Sequence, residues 1–275
     1  MKTKILRCQY RLEKKYHNLL IAEKNLTKRM TLYRRAYDDI YAFFGKYCPS
    51  KKQFGYLGKS FLLYEFIITD KIGIDYGCGY GSFCKNAASL SLEIYGLDAS
   101  KEIIKKNRHK NNKKNIFFKH TSSMKLPFKP SSVDFIYSTG VLEHLHPEDA
   151  LEHLKEAFKC LKRGGYYILI TPNRIFGPSD VSKFFLKRGA KARGLHLQEY
   201  TYSSLGDLLS QVGFRDVKSP LFLEYILIAT GLSKLFKHIL VDIKLKIFFE
   251  KYLSFLPKFL AEILRIRGIS LIIKK

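Results

Sequence analysis

Short apolar runs alternate with longer amphipathic segments between residue 71 and residue 219. The apolar runs predict strands at 71–76, 92–97, 115–119, 132–138, 165–171 and 213–217. The segments between them predict helices at about 81–90, 100–110, 147–162 and 201–212, the third of which we expect Gly164 to stop. Such alternation is typical of βα units with a parallel sheet, so the chain is predicted to belong to the α/β class.

The flanks of this region follow a different pattern. Residues 3–47 place apolar and aromatic side chains at three- and four-residue steps among many Lys and Arg, which predicts helices. Residues 220–263 alternate bulky apolar residues with lysines at helical spacing, and the segment RGISLIIKK predicts a last strand. We therefore expect a helical N-terminal extension or lid at 1–60, a core at 61–219, a helical insertion at 220–263 and a final core strand at 264–275.

The composition excludes several classes of protein. Hydrophobic residues make up 46% of the 275 residues and aromatic residues 14%, which excludes general disorder. The five cysteines form no CxxC pair, so we expect neither a disulfide framework nor a zinc knuckle, and a reducing cytosol fits best. The N-terminal segment MKTKILRCQYRLEKKY has no apolar core of signal-peptide length, so export is not expected.

The formal net charge is +25, and the excess of basic residues is concentrated in the two flanks. One interpretation is an anionic partner such as a membrane surface or nucleic acid. The other is compositional, since many Lys, Ile, Asn, Phe and Tyr together are what an AT-rich gene would encode. The charge alone leaves both interpretations open.

The stretch IGIDYGCGYGSF ends an apolar run at Asp75 and then places glycines at Gly77, Gly79 and Gly81. Glycines between a strand and a helix allow the backbone to approach a ligand closely and to direct its N–H groups toward it. A G-x-G-x-x-G dinucleotide motif would require glycine where Ser82 stands, and no Walker G-K-[ST] sequence is present. The stretch therefore favours neither of these phosphate-binding motifs.

Together with four later segments, this stretch resembles the class I S-adenosylmethionine-dependent methyltransferases of the small-molecule type. The four segments are IYGLDAS, LPFKPSSVDFIYSTGVLEHL, LKRGGYYILITPN and HLQEYTYSSLGDLLSQVGF. The resemblance covers about 71–217 and the last strand. It implies a doubly wound, Rossmann-like, seven-stranded sheet, mostly parallel with the last strand antiparallel, and S-adenosylmethionine as the cofactor.

The resemblance also implies roles for individual residues. Asp98 would accept hydrogen bonds from the ribose hydroxyls, and Asp75 would serve the cationic methionine end, directly or by fixing the loop. The structural alternatives are a role as a turn residue or helix cap for Asp98 and a role in binding glycine N–H groups for Asp75. Adenine is expected near Ser122, where the family often has Asp, and the carbonyl of Ser138 would face the methionine amine. The expected cofactor-binding residues are Asp75, Gly77, Cys78, Gly79, Gly81, Asp98, Ala99, Ser122, Ser123, Met124 and Ser138.

The candidates on the acceptor side follow the fourth and fifth predicted strands. His144 is the first choice for a general base, with Glu143 and His196 as further catalytic candidates. A structural role in fixing loops is the alternative for both histidines. Some quinone-directed relatives have a further glutamate before V-L-E-H that could assist metal binding, and this chain has Gly140 there, so no metal is expected.

The resemblance implies in-line methyl transfer to a small-molecule or lipid/glycan-linked acceptor, with oxygen as the expected acceptor atom. We expect a cytoplasmic protein. Apolar residues and lysines in 220–263 would suit an anionic lipid surface, so peripheral contact with the inner membrane face is left open, and packing of helices on the core or on a partner subunit is the alternative. An RNA-directed methyltransferase that uses the basic flanks is an alternative, although the fourth strand lacks the [DN]-P-P-[YFW] signature. A non-catalytic cofactor-binding protein is the other.

Overall fold

The computed structural model describes residues 2–47, 64–121, 123–220, 240–253, 255 and 268–275. The strands in these ranges are β1 Ile72–Tyr76, β2 Glu93–Asp98, β3 Ile116–His120, β4 Val133–Thr139, β5 Leu161–Pro172, β6 Asp216–Pro220, β7 Leu240–Asp242 and β8 Gly268–Lys274. The helices are α1 Lys2–Ala22, α2 Leu26–Tyr47, α3 Glu65–Ile68, α4 Ser82–Ala87, α5 Lys101–Lys110, α6 Pro147–Cys160, α7 Tyr202–Val212 and α8 Ile243–Leu253.

The strands form one sheet of eight in the order β3-β2-β1-β4-β5-β8-β6-β7. The five strands from β3 to β5 pair in parallel, and β8 lies antiparallel between β5 and β6. This confirms the predicted doubly wound α/β fold with an antiparallel last strand. The count of seven strands was one too low, because β7 adds an antiparallel edge beside β6.

The missed strand lies in a segment that was predicted to be mostly helical. Leu240, Val241 and Asp242 pair with β6 before α8 begins at Ile243. So short an apolar run does not distinguish a strand from a helix by its periodicity, and pairing with an exposed sheet edge decides its conformation. The remainder of the predicted insertion, 221–239, 254 and 256–263, lies outside the described residues.

The helix α6 shows how local sequence signals define an element. Its N-cap His146 accepts a hydrogen bond from the backbone N–H of Glu148, and Pro147 occupies the first turn. The helix ends at Cys160 rather than at Gly164, because Leu161 adopts an extended backbone and pairs with Val133 of β4. The prediction that Gly164 stops this helix was therefore wrong.

The sheet is covered on both faces by apolar side chains. On one face, Ile74, Ile136 and Leu169 of the sheet belong to one buried cluster with Leu154 of α6 and Leu205 of α7. A second cluster on the other face joins Ile94, Phe135 and Ile168 to Phe83 of α4 and Ile104 of α5. Strands buried on both faces explain the nearly continuous apolar runs in the sequence.

The predicted helical stretch 3–47 consists of two helices separated at residues 23–25. Arg29 of α2 is 2% exposed, and its guanidinium donates two hydrogen bonds to the carboxylate of Asp149 in α6. The hydroxyl of Tyr33 donates to the same carboxylate. These contacts attach α2 to the core, so that its C-terminal half reaches the loops that follow the parallel strands.

Two features bear on the predicted organisation. The predicted boundaries at residues 60 and 263 fall outside the described ranges, so the division into domains stays a prediction. Among the helices that the structure describes, none has both the length and the apolar character needed to cross a lipid bilayer.

Candidate functional site

The glycine loop 77–81 connects the end of β1 to α4. Gly77, Gly79 and Gly81 have φ angles of +75°, +48° and +71°, a region that side chains disfavour. A Cβ atom at Gly77 would lie 2.3 Å from Cγ2 of Val141. Glycine is therefore required here by the backbone conformation and by the close approach of the loop after β4, in addition to any ligand.

Asp98 lies at the end of β2, beside this loop, and is 6% exposed. Its Oδ2 atom accepts a hydrogen bond from the backbone N–H of Gly79 at 3.0 Å, and Oδ1 accepts one from the N–H of Ser100 at 2.8 Å. Each oxygen retains a lone pair for a further donor. Burial raises the pKa of Asp98 to about 6, although the Ser100 and Gly79 N–H groups act in the opposite direction.

Asp75 in β1 is 3% exposed and accepts a hydrogen bond from the thiol of Cys84 at 3.2 Å. Burial raises the pKa of Asp75 to about 7. The backbone N–H of Gly79 donates to Asp98 and not to Asp75, so Asp98 has the loop-fixing role that was considered for Asp75. In the described part of the chain, neither carboxylate forms an ion pair with Lys, Arg or His, which leaves two buried acids without a cationic partner.

Other predicted cofactor residues lie at the same edge of the sheet. The backbone N–H of Cys78 donates to the carbonyl of Leu97, and the carbonyl of Ala99 lies 3.1 Å from Nε2 of His120. Ser138 is buried near the end of β4 and pairs with Tyr76 of β1.

Two further predicted residues follow β3. The hydroxyl of Ser123 accepts a hydrogen bond from the N–H of Lys125, and the sulfur of Met124 accepts one from the hydroxyl of Tyr76 at 3.8 Å. Ser122 lies outside the described residues. The predicted set thus gathers at the carboxyl ends of β1 to β4, apart from this one position.

Three residues without a predicted role also contact this region. Asn107 of α5 donates a hydrogen bond to the carbonyl of Gly79 at 2.7 Å. Tyr41 of α2 directs its hydroxyl to 3.3 Å from the point where a Cβ atom of Gly79 would lie, and the ring of Tyr37 lies edge-on to His144. Tyr37 and Tyr41 are four residues apart on one helical face, a spacing that could have identified them.

The acceptor-side candidates form a second cluster after β4 and β5. Glu143 and His144 lie in a 3₁₀ turn, Leu142–His144, and the buried Glu143 carboxylate accepts a hydrogen bond from the hydroxyl of Thr171 at 3.1 Å. The ring of His196 lies 4.7 Å from that of His144. Potential ligand atoms of Glu143, His144 and His196 all lie within 4.8 Å of one another, so the three residues predicted separately form one cluster.

The pKa values of the two histidines in this cluster shift in opposite directions. Burial, together with the neighbouring His196, lowers the pKa of His144 to about 3, so this ring is neutral and a weak base. Burial would also lower the pKa of His196, but hydrogen bonding to Glu199 and the charges of Glu143 and Asp180 raise it. Burial also raises the pKa of the Glu143 carboxyl.

The segment that holds His196 is fixed by two buried acids. Oδ2 of Asp180 accepts hydrogen bonds from the N–H groups of Gly194 and His196, at 2.8 and 3.2 Å. Glu13 of α1 accepts one from the N–H of Leu195 at 3.1 Å. A Cβ atom at Gly194 would lie 2.5 Å from Oδ2 of Asp180, so only glycine fits this arrangement.

A cleft of about 760 Å³ opens beside this segment, between α1 and residues 191–199. Its lining includes Lys14, His17, Arg174, Lys191, Arg193 and Glu199. The Glu199 carboxylate reaches Nδ1 of His196 at 2.7 Å, which connects the cleft to the histidine cluster. No carboxylate among the described residues forms an ion pair with the four Lys and Arg side chains.

The residues that form this site lie largely in a segment that matches a known protein family. A family profile described as a methyltransferase domain matches residues 74–169, which include the glycine loop, Asp98, Glu143 and His144. The chain contains a class I S-adenosylmethionine-dependent methyltransferase domain. The cofactor of this methyltransferase domain is S-adenosylmethionine, as predicted from the sequence.

Two curated relatives match the methyltransferase domain. A protein of Mycolicibacterium smegmatis, named as a probable S-adenosylmethionine-dependent methyltransferase, is 29% identical over 142 residues, which is 51% of each chain. A ubiquinone biosynthesis O-methyltransferase of Pelagibacter ubique is 33% identical over 103 residues, 37% of this chain and 42% of that protein. The chain therefore spans about half the length, or less, of the curated relatives it matches.

Among solved structures, one chain from a Haloferax volcanii complex between the Trm112 methyltransferase activator and a methyltransferase is similar in fold. The TM-score is 0.54 at 16% sequence identity, and the match covers 68% of this chain and 79% of that one. At this identity the likeness supports the fold of the methyltransferase domain and nothing more specific.

Proposed function

We propose that the protein transfers a methyl group from S-adenosylmethionine to an oxygen atom of a small-molecule or lipid/glycan-linked acceptor. The observation that carries the proposal is the pair of buried carboxylates, Asp75 and Asp98, beside a glycine loop and without a cationic partner among the residues that the structure describes. Buried acids of this kind favour a ligand that is itself cationic.

The residues present fit the cofactor. The remaining lone pairs of Asp98 suit the ribose hydroxyls, the positive-φ glycines suit close approach, and Asp75 supplies negative charge for the methionine end. When bound, S-adenosylmethionine supplies a methyl group on a positively charged sulfur that keeps the electron pair of the broken bond.

On the acceptor side, the chain contributes position and polarity. Holding the two reactants in line supplies up to about 7–11 kcal/mol of the rate enhancement. Nδ1 of His144 lies 3.2 Å from the carbonyl of Leu195 and carries the proton, so Nε2 is left to accept a hydrogen bond from an acceptor hydroxyl. Oxygen as the acceptor atom is consistent with the O-methyltransferase activity in the name of the Pelagibacter ubique relative.

The cleft indicates the kind of acceptor. Four cationic side chains, Lys14, Arg174, Lys191 and Arg193, line it without acidic partners among the described residues. They suit an acceptor that carries a phosphate or a carboxylate, because exposed cations attract such groups from solution. This part of the proposal predicts that turnover with the natural acceptor decreases as salt is added.

We also propose contact with an anionic membrane surface from the cytoplasmic side. Leu245 and Phe249 of α8 are about half exposed beside the exposed Lys244, and apolar residues next to lysines suit a lipid surface. Co-sedimentation with anionic vesicles at low salt tests this part. Absence of binding there would remove the membrane contact and leave the methyl transfer unaffected.

The proposed activity is tested by incubating the purified protein with methyl-labelled S-adenosylmethionine and a fractionated cell extract. Label in a lipid or polar-metabolite fraction supports the proposal. Label in RNA would favour the RNA-directed alternative that the basic flanks suggest. Normal cofactor binding without label in any fraction would favour a non-catalytic cofactor-binding protein.

A further inference from the structure

We propose that Glu143, His144 and His196 bind a divalent transition-metal ion. One potential ligand atom of each residue lies within 4.8 Å of the others. Around a metal at about 2.1 Å, tetrahedral ligands lie roughly 3.4 Å apart, so small side-chain rotations would close the site. Two imidazoles and one carboxylate form a set that zinc, cobalt, manganese and iron accept.

The partners of the histidines favour metal binding. Nδ1 of His144 faces the carbonyl of Leu195 at 3.2 Å, and Nδ1 of His196 faces the carboxylate of Glu199 at 2.7 Å. Both partners only accept hydrogen bonds, so each Nδ1 carries a proton and each Nε2 is left as the ligand atom. Metal-binding histidines in proteins have this arrangement, with a carbonyl or a carboxylate behind the ring.

The carboxylate ligand is oriented in the same manner. The hydroxyl of Thr171 in β5 donates to Oε2 of Glu143, which fixes the carboxylate and leaves Oε1 available. Glu143 is 2% exposed and has no Lys or Arg partner among the described residues. A bound cation would offset the cost of burying this charge.

The sequence expectation of no metal rested on Gly140, which stands where some relatives have a further glutamate. The structure supplies the third ligand from elsewhere, because His196 returns to the cluster from the connection after β5. That connection is held by Asp180 and Glu13, so the position of His196 is fixed by the fold.

The metal deepens the proposed function, and its catalytic role rests on that function. An acceptor hydroxyl bound at an open coordination position would lose its proton to solvent more readily, because a metal lowers the pKa of a bound oxygen. The oxygen then forms a bond to the methyl carbon while the carbon–sulfur bond breaks, and the electron pair stays on sulfur. With a metal bound, Nε2 of His144 is a ligand, so the metal, rather than this nitrogen, would bind the acceptor hydroxyl, and no strong base is needed.

The test is Co²⁺ and Zn²⁺ binding to tag-free, chelator-treated full-length protein, without cofactor or acceptor. Calorimetry should give one ion per chain, and the visible spectrum of bound Co²⁺ should show nitrogen and oxygen ligands. Glu143→Gln, His144→Ala and His196→Ala should each weaken binding by more than about tenfold, and His109→Ala, an exposed histidine of α5, should not. Glu199→Gln keeps all three ligands and should weaken binding by about 10- to 100-fold.

Equal Co²⁺ binding by the wild type and His196→Ala would overturn the proposal, as would no binding to wild-type protein. Binding of S-adenosylhomocysteine to the same samples shows whether each variant is folded. It also separates the two proposals, since cofactor binding without metal binding contradicts only the metal site. Metal binding without cofactor binding contradicts only the proposed function.

Discussion

The Oδ2 atom of Asp98 accepts a hydrogen bond of 3.0 Å from the backbone N–H of Gly79. This bond joins the end of β2 to the loop after β1, so one carboxylate shapes the glycine loop and still has lone pairs for a further donor. In the proposed function, Asp98 would therefore couple cofactor binding to the conformation of the loop.

The glycine loop provides the first prediction. Gly77→Ala places a side chain at a φ of +75° and 2.3 Å from Val141, so we expect loss of cofactor affinity by more than about tenfold. Gly164→Ala is the matched control, because Gly164 has a φ of +78° and open space around its missing side chain. Gly164→Ala should lose about 1–2 kcal/mol of stability from its backbone conformation alone and keep binding, whereas Gly77→Ala should lose more stability, because of the contact with Val141, and should lose binding. Equal affinity in the two variants would contradict this account of the loop.

The second prediction concerns the attachment of α2 to the core. Arg29→Met leaves the Asp149 carboxylate buried without its guanidinium, so the free energy of unfolding should fall by about 3–5 kcal/mol in urea titrations. Arg35→Met changes an exposed arginine of the same helix and should alter it by less than about 0.5 kcal/mol. Similar values for the two variants would show that the ion pair does not anchor α2.

The third prediction tests whether the histidine cluster can be disturbed without affecting the glycine loop. Gly194→Ala introduces a Cβ atom 2.5 Å from the Asp180 carboxylate and should displace His196, which lowers the methyl-transfer rate by about 10- to 100-fold. The dissociation constant for the cofactor should change by less than about twofold. Gly45→Ala, where nothing lies within 4 Å, should leave both quantities unchanged. A parallel loss of cofactor affinity in Gly194→Ala would mean that the two regions are not separable.

The pH dependence of cofactor binding gives the fourth prediction. Burial raises the pKa of Asp98 to about 6 and of Asp75 to about 7, so both become neutral as the pH falls below these values. A cationic ligand prefers the ionised acids, so its affinity should fall between pH 7.5 and 5.5, by up to about tenfold per pH unit for each group. Asp75→Asn should flatten the upper part of this profile. An affinity that is constant over this range would contradict the assignment.

In the ligand-free protein, the raised pKa values of Asp75 and Asp98 make the folded state less stable, not more stable, as the pH rises. The folded-state pKa of each acid lies above its unfolded value of about 3.9, so the folded protein binds more protons at intermediate pH. These two groups therefore contribute stability at low pH that is lost as the pH rises through 6 to 7. Saturation with the cofactor should reverse part of this loss.

The sequence predicted the features that depend on local pattern. The parallel strands, α6 and α7 follow from apolar runs and amphipathic segments, and Asp98 was selected through the family resemblance of the segment IYGLDAS. It did not predict that β7 forms an edge strand, since three residues carry no distinctive period and pairing with β6 decides their conformation.

The sequence also did not predict contacts between residues that lie far apart in the chain. The approach of Tyr41 to Gly79 and the return of His196 to His144 depend on how α2 and the connection after β5 pack. The buried pair Arg29 and Asp149, which sets the first of these contacts, appears in the sequence as two ordinary charged residues. Local spacing contains no information on such pairs.

The central claim is that the glycine loop and Asp98 bind S-adenosylmethionine, and calorimetric titration with this compound or S-adenosylhomocysteine tests it most directly. Wild-type protein should bind one equivalent. Asp98→Asn should weaken binding by about 10- to 100-fold, because it removes a charged hydrogen-bond acceptor, and Asp207→Asn, an exposed acid of α7, should bind as the wild type does. No heat with folded wild-type protein, or equal affinity in Asp98→Asn, would contradict the claim.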